Sequence, residues 1–347
     1  MSQPIIEEAS TRTKNHAWKA LVAEYQQPST WRACFQLLNT VGAYIGVWIA
    51  MYFTLGISWW LTMSLSVLGG MFLIRIFIFH HDCGHGSFFK SRKANDFWGW
   101  VCGTLSFTPY GRWRREHALH HASSGHLDRR GMGDIWTLTV KEYLGCSPVK
   151  RLAYRVSRHA FFLFVIGPIW LFIYRERIPQ KNPKPGETRD VMVLNLVLIA
   201  MSVVLIYLFG FWPWLAIQLT TLTVAGGAGI WLFYVQHQYE DAYWVSGDDW
   251  DYFDAAIKGS SFYKLPKVLQ WFTGNIGFHH IHHLSPRIPN YNLERCHKAH
   301  PMFNEVKPLT LMSSLKTAAL ALWDEKTNKL VSFGSHKRQM AAEKRVA

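Results

Sequence analysis

Two stretches of the chain, residues 35–79 and 191–235, hold one charged side chain between them, Arg75. A helix crosses the hydrocarbon core of a bilayer with about 20 apolar residues, so each stretch is long enough for two crossings. The first divides into LLNTVGAYIGVWIAMYFTLG (37–56) and ISWWLTMSLSVLGGMFLIRIFIF (57–79). The second runs VMVLNLVLIAMSVVLIYLFGFW from Val191 and LAIQLTTLTVAGGAGIWLFYV from Leu215, with Pro213 marking the turn. Trp59, Trp60, Trp212 and Trp214 fall at the two divisions, where a membrane interface favours aromatic side chains. With 49% hydrophobic and 17% charged residues the chain is neither disordered nor a disulfide scaffold, and its five cysteines show no C-x-x-C spacing.

Four helices in two hairpins put both tips on one side of the membrane and everything else on the other. All the Lys and Arg residues except Arg75 lie in that remainder, which the positive-inside rule makes cytoplasmic. The net charge of +14 is thereby explained without nucleic acid. The expected organisation is a cytoplasmic arm (1–34), a transmembrane hairpin (35–79), a cytoplasmic segment with interfacial helices (80–190), a second hairpin (191–235) and a cytoplasmic C-terminal segment (236–347). The polar start up to Lys19 is not a signal peptide. AFFLFVIGPIWLFIY at 160–174, broken by Gly167 and Pro168, is too short to span and reads as an interfacial or re-entrant helix, as does FWGWVCGTLSFTPY at 97–110. The tail after Ser313 reads as polar and partly helical. The expected fold class is thus an all-α integral membrane protein of four transmembrane helices with a cytoplasmic helical cap.

The histidines say what the cap holds. They cluster as HHDCGH (80–85), HALHH (117–121) and HHIHH (279–283), all on the side assigned as cytoplasmic. Residues four apart on an α-helix share a face, which selects His81 with His85, and His81 over His80. The other clusters pair His117 with His120 and His121, and His279 with His282 and His283. His237, just beyond the fourth span, is a ninth candidate ligand. Asp82 and Asp134 are candidates to orient the rings, and a solvated loop carboxylate is the plain alternative for Asp134. His80, His126 and His280 stay open, whereas lone histidines such as His159, His297 and His300 read as ordinary polar side chains.

Neutral imidazoles suit iron, zinc, copper and nickel. Eight in three clusters exceed what one tetrahedral zinc takes and suffice for two metals; two irons that activate dioxygen are the natural reading. Among the alternatives, a histidine-rich membrane hydroxylase of alkanes, carotenoids or acyl chains uses the same site. A metal transporter would need ionisable groups near the midplane of the spans, where the sequence offers only Arg75.

HDCGH at 81–85, HALHH at 117–121 and HHIHH at 279–283 resemble the three histidine boxes of the membrane fatty acid desaturases, and QHQYEDAYW from Gln236 resembles the segment that carries a further ligand. GSFFKS (86–91), RRGMGDIWTLTVKEY (129–143) and HHLSPRIPNYNL (282–293) extend the likeness, which is greatest to the bacterial and cyanobacterial acyl-lipid omega-6, or delta-12, branch. The resemblance implies two non-haem irons held by the box histidines with His237, dioxygen as co-substrate, and a cis double bond introduced into a membrane-lipid acyl chain, oleoyl to linoleoyl. It further implies a bacterial inner-membrane setting and electrons from an external donor such as ferredoxin, because no G-x-G-x-x-G unit follows a strand to hold a nicotinamide or flavin. The asparagine that reaches a metal through water in the animal acyl-CoA branch has no match. Apolar residues of 97–110 and of the spans are candidates to line the acyl tunnel.

Overall fold

The structure is a computed structural model that describes residues 18–131 and 133–335; the chain before Trp18 and the basic end KRQMAAEKRVA lie outside the described residues. The helices that build the site are α1 (Thr30–Thr54), α2 (Trp59–Gly84), α3 (Arg92–Leu105), α4 (Tyr110–Ser123), α5 (Glu187–Phe209), α6 (Phe211–His237), α7 (His279–Leu284) and α8 (Asn290–Ala299). Of these, α1, α2, α5 and α6 are long and apolar enough to cross a membrane. Ser58 and Ser91 cap α2 and α3, accepting hydrogen bonds from the N–H groups of Leu61 and Ala94 at 3.4 and 3.3 Å. The turn between α5 and α6 is made by Gly210, whose φ of +80° suits a residue without a Cβ. Pro213, expected at that turn, lies in the first turn of α6, where its missing N–H leaves no helical bond unmade.

Helix α2 is central and packs against α1, α3 and α6. It meets α6 closely at Gly70, where a Cβ would lie 2.7 Å from Val224, the kind of small-residue contact that lets apolar helices meet without a bulky side chain between them. On α5, Leu196, Ile199, Val203 and Tyr207 are all exposed and recur every three or four residues. A continuous outward apolar stripe of this kind is what a lipid-facing helix presents.

The segment Phe162–Arg177 follows helix Pro148–Ser157 at a 65° bend. Its backbone widens to an i→i+5 hydrogen bond, from the Gly167 N–H to the Phe162 carbonyl, a local loosening that occurs often at functional sites. It lies along α6 so closely that a Cβ on Gly226 would stand 2.7 Å from Pro168.

The all-α expectation is corrected by two small sheets. β1 (Leu138–Thr139) pairs in parallel with β4 (Leu320–Asp324), which pairs antiparallel with β5 (Lys329–Ser332); β2 (Phe262–Lys264) and β3 (Pro308–Thr310) form a second parallel pair. The tail after Ser313 is therefore not simply polar and helical. Between β4 and β5, Asp324 accepts hydrogen bonds from the Lys326 N–H (3.1 Å) and the Thr327 hydroxyl (2.9 Å), and Asn328 takes a φ of +51°. These are turn-forming choices that fold two short apolar runs onto each other. Arg158 fastens the hairpin to α6, its Nη2 lying within hydrogen-bonding reach of the Leu320 carbonyl (2.8 Å), the Gln238 side chain (2.9 Å) and the Tyr234 hydroxyl (3.0 Å), among which its two N–H groups are shared.

Candidate metal centre

Helix α2 runs past the apolar stretch to Gly84, so His81 projects from the same rigid rod that would span the membrane, and His85 follows at its C-cap. Helix α4 supplies His117, His120 and His121, α6 ends on His237, and the short α7 supplies His279, His282 and His283. Nine rings from four helices meet. His81, His85, His117, His121 and His282 each bring one nitrogen within 4.8 Å of all the others, and His120, His237 and His283 do the same in a second group. His279 joins the second group, its Nε2 3.0 Å from that of His237.

The contacts between the nitrogens decide whether these sites suit a cation. In the first group, Nε2 of His282 lies 3.1 Å from that of His81 and 3.0 Å from that of His121, which is itself 3.1 Å from Nε2 of His117. In the second, Nε2 of His237 lies 3.2 Å from that of His120. A ring nitrogen carries either one proton or one lone pair, so such a series cannot be satisfied by hydrogen bonds alone. His85 and His283 also bury an Nε2 with no protein partner, which is costly unless something else takes the lone pair. Converging imidazole lone pairs fit first-row transition metals, iron among them.

The opposite ring edges are fixed. Nδ1 of His81 lies 3.0 Å from Oδ1 of Asp82, Nδ1 of His120 lies 2.6 Å from Oδ1 of Asp134, and Nδ1 of His237 lies 3.1 Å from the Gly259 carbonyl. Each acceptor holds the proton on Nδ1 and turns Nε2 inward, the arrangement that partners of metal-bound histidines produce. Asp134 is nearly buried, so the solvated-loop alternative falls away. Burial, reinforced by the neighbouring imidazoles, pushes the pKa of His85, His117, His121, His279, His282 and His283 well below the usual histidine value. All six are therefore neutral at pH 7, the state a metal ligand requires.

The open candidates separate cleanly. His80 Nδ1 meets the Gly99 carbonyl at 2.8 Å, His126 Nδ1 accepts from the Asp128 N–H at 3.3 Å, and His280 Nε2 lies 3.2 Å from Nδ1 of His297. None of the three belongs to either group. His297 is buried, not a surface side chain. Asn290 was not foreseen: its N–H and side-chain amide donate to Oδ2 of Asp82 at 2.7 and 2.9 Å, tying the start of α8 to α2.

A cavity of about 510 Å³ reaches the centre, with His81, His117, His120 and His279 in its wall. Leu73 and Phe77 of α2, Ile230 and Phe233 of α6, and Leu171 and Phe172 of the bent segment give it apolar sides. The expected contribution of 97–110 is corrected: only Ser106 and Thr108 of that stretch reach the cavity, because α3 turns its apolar face, including Cys102, into the core beside α2. The nine histidines lie at helix ends or outside the four long helices, not at their midpoints, unlike the ion sites of transporters.

The chain is similar to known proteins. The profile of the fatty acid desaturase family matches residues 57–309. The chain is 45% identical over 312 residues to a fatty acid desaturase of Bacillus subtilis, covering 90% of this chain and 89% of the relative. It is 28% identical to an sn-1 acyl-lipid omega-3 desaturase (ferredoxin) of Nostoc, over 81% of this chain and 78% of the relative. It is 26% identical to an sn-1 oleoyl-lipid 12-desaturase of Synechocystis, over 80% and 78% respectively. The chain belongs to the fatty acid desaturase family, oxidoreductases that act on acyl lipids.

Proposed function

We propose that the protein introduces a cis double bond into a membrane-lipid acyl chain, converting oleoyl to linoleoyl at the delta-12 position, with ferredoxin or another small electron-transfer protein as donor. The observation that carries the acyl-chain reading is the 510 Å³ apolar cavity ending on the histidine groups, a volume within the range of ligand pockets, about 300–1,000 Å³. The delta-12 position and the donor rest on likeness to the oleoyl-lipid 12-desaturase and to the ferredoxin-dependent acyl-lipid desaturase.

In this reading His81, His85, His117, His121 and His282 hold one iron, and His120, His237, His279 and His283 hold the other. The pair of irons, when bound, supplies with dioxygen the oxidising power to break two unactivated C–H bonds. The chain's own residues do the rest. Asp82, Asp134 and the Gly259 carbonyl orient the rings, while Phe77, Phe233 and Phe172 exclude water and hold the chain against the histidines. The four long helices cross the bacterial inner membrane as two hairpins, with both termini and the histidine cap cytoplasmic and the five segments bounded at residues 34, 79, 190 and 235.

The test is a fatty acid profile, with double bonds located by derivatisation and mass spectrometry, from a host that supplies oleoyl lipids and a compatible ferredoxin. A diene absent from a His120→Ala control supports the reading. A monoene made from saturated chains would move the double bond elsewhere, and hydroxylated chains would replace desaturation by hydroxylation.

A further inference from the structure

Arg75, the one charged side chain within residues 35–79 and 191–235, has no carboxylate partner among the described residues. Its Nε donates to the Thr40 hydroxyl at 3.1 Å and its Nη1 to the Trp271 carbonyl, and its guanidinium stacks 4.2 Å over the Trp271 ring. Among the described residues no protein atom takes Nη2. A desolvated cation held only by neutral groups is costly, and beside a membrane such a residue asks for an anion.

The place for that anion is a second cavity of about 430 Å³, between α1, α2, the helix Lys267–Phe272 and α8. Helix α2 divides it from the acyl cavity: Arg75 faces one, and Ile74 and Ile78 face the other. Of the described residues, three cations line it, Arg32, Arg75 and Lys267, against one carboxylate, Glu294. Glu294 is already engaged by Lys267 and Lys298 at 2.6 Å each, and by Gln270 at 2.8 Å. Among the described residues the Arg32 guanidinium donates only to the neutral Asn292 side chain, at 3.1 Å. Gln36, about nine-tenths buried in the same wall, has a side-chain oxygen with no partner; turned over, that amide presents an N–H donor to the cavity.

We propose that this cleft binds the phosphate of an anionic phospholipid headgroup, distinct from the acyl chain that is desaturated. Guanidinium groups match phosphate oxygens in geometry and charge, and basic pockets between membrane helices are where lipid headgroups are held. The position fits a lipid better than a soluble anion. Arg75 lies six residues, or about 9 Å along the helix, before His81, and the rim carries Trp31 and Phe35, 76% and 55% exposed, aromatic side chains of the kind that sit at the interface. The inference rests on the membrane setting proposed above and not on the reaction.

The full-length protein in neutral-detergent micelles is titrated with phosphatidylglycerol, with phosphatidylcholine and, separately, with inorganic phosphate. Bound lipid is counted by native mass spectrometry and the thermal unfolding midpoint is followed by tryptophan fluorescence. One phosphatidylglycerol retained in preference to phosphatidylcholine, with a raised midpoint, is the expected result. Arg75→Gln and, on the periphery, Arg32→Gln each weaken it about tenfold, the loss of one charge-assisted contact. If Arg75→Gln does not fold, Arg32→Gln combined with Gln36→Leu decides. Equal retention of the two lipids, or unchanged binding in the variants, overturns the proposal. Inorganic phosphate giving the same stabilisation as the lipid overturns the lipid assignment. Because no turnover is measured, failure here is separable from failure of the desaturase reading.

Discussion

Asp134 meets Nδ1 of His120 at 2.6 Å while Nε2 of the same ring lies 3.2 Å from that of His237. One carboxylate thus sets the aim of a ring shared with a second helix. Asp134→Asn replaces an acceptor of full charge by an amide that can turn its N–H toward the ring. Iron retention or activity is expected to fall about 10- to 100-fold, the usual cost of losing such a partner. Iron per protein by elemental analysis checks it, and a variant that retains the full complement and the full rate refutes the role.

Asp82 does two jobs with its two oxygens, one at His81 and one at the backbone and side chain of Asn290. Asn290→Ala removes only the side-chain donor, and its cost is expected at about 1 kcal/mol of stability, with iron retained. Asp82→Asn touches both jobs, so it lowers the unfolding midpoint and the iron content together. Paired thermal melts and iron assays on the two variants distinguish the roles.

The candidate ligands were legible because helical spacing is local: His81 with His85, and His117 with His121, are four apart, and the structure brings each pair into one group. The same phase favoured His81 over His80, whereas His280 stayed open until the structure placed it outside both groups. Asp82 could be suspected from adjacency to His81, but Asn290 lies 208 positions away from Asp82, and a hydrogen bond between two helices so distant in sequence leaves no periodic trace. The four long helices were legible from charge depletion, though their ends were not, since α2 continues through polar residues to Gly84 once α4 and α7 cover them. The β4–β5 hairpin was missed because its strands are two short runs inside a polar tail. The acyl cavity showed why apolarity alone assigns no wall: 97–110 and 160–174 are both aromatic-rich and apolar, and packing against α6 gives the second its place beside the cavity.

Glu294 links three donors from two elements, and its titration gives a signed pH effect. Partial burial pushes its pKa up, but hydrogen bonds from Lys267, Lys298 and Gln270 outweigh that and draw it down to about 2. A carboxyl depressed in the folded state contributes stability above its unfolded pKa, and that contribution is lost as pH falls from the ordinary carboxylate range toward about 2. Glu294→Gln is therefore expected to have a lower unfolding midpoint than the parent at pH 7 and a smaller loss on acidification. A parent and variant whose midpoints fall in parallel through that window would contradict the assignment.

Two glycines three residues apart on α6 separate packing from specificity. At Gly226 a Cβ would meet Pro168 at 2.7 Å and Phe172 at 3.2 Å, so Gly226→Ala forces the bent segment off α6 and destabilises the protein by about 1–3 kcal/mol, as overpacking does. At Gly229, which also lines the acyl cavity, nothing lies within 4 Å of a Cβ. The Cβ of Gly229→Leu therefore displaces no neighbour and the side chain grows from the cavity wall, and substituting leucine for a helical glycine favours the helix itself. The folded protein is expected to persist with its iron, while turnover of eighteen-carbon chains falls relative to shorter ones or the double bond shifts along the chain. Product profiles from a mixed-length lipid pool measure this directly. If Gly229→Leu left the chain-length preference and the double-bond position unchanged, the acyl chain would have to run elsewhere than along α6.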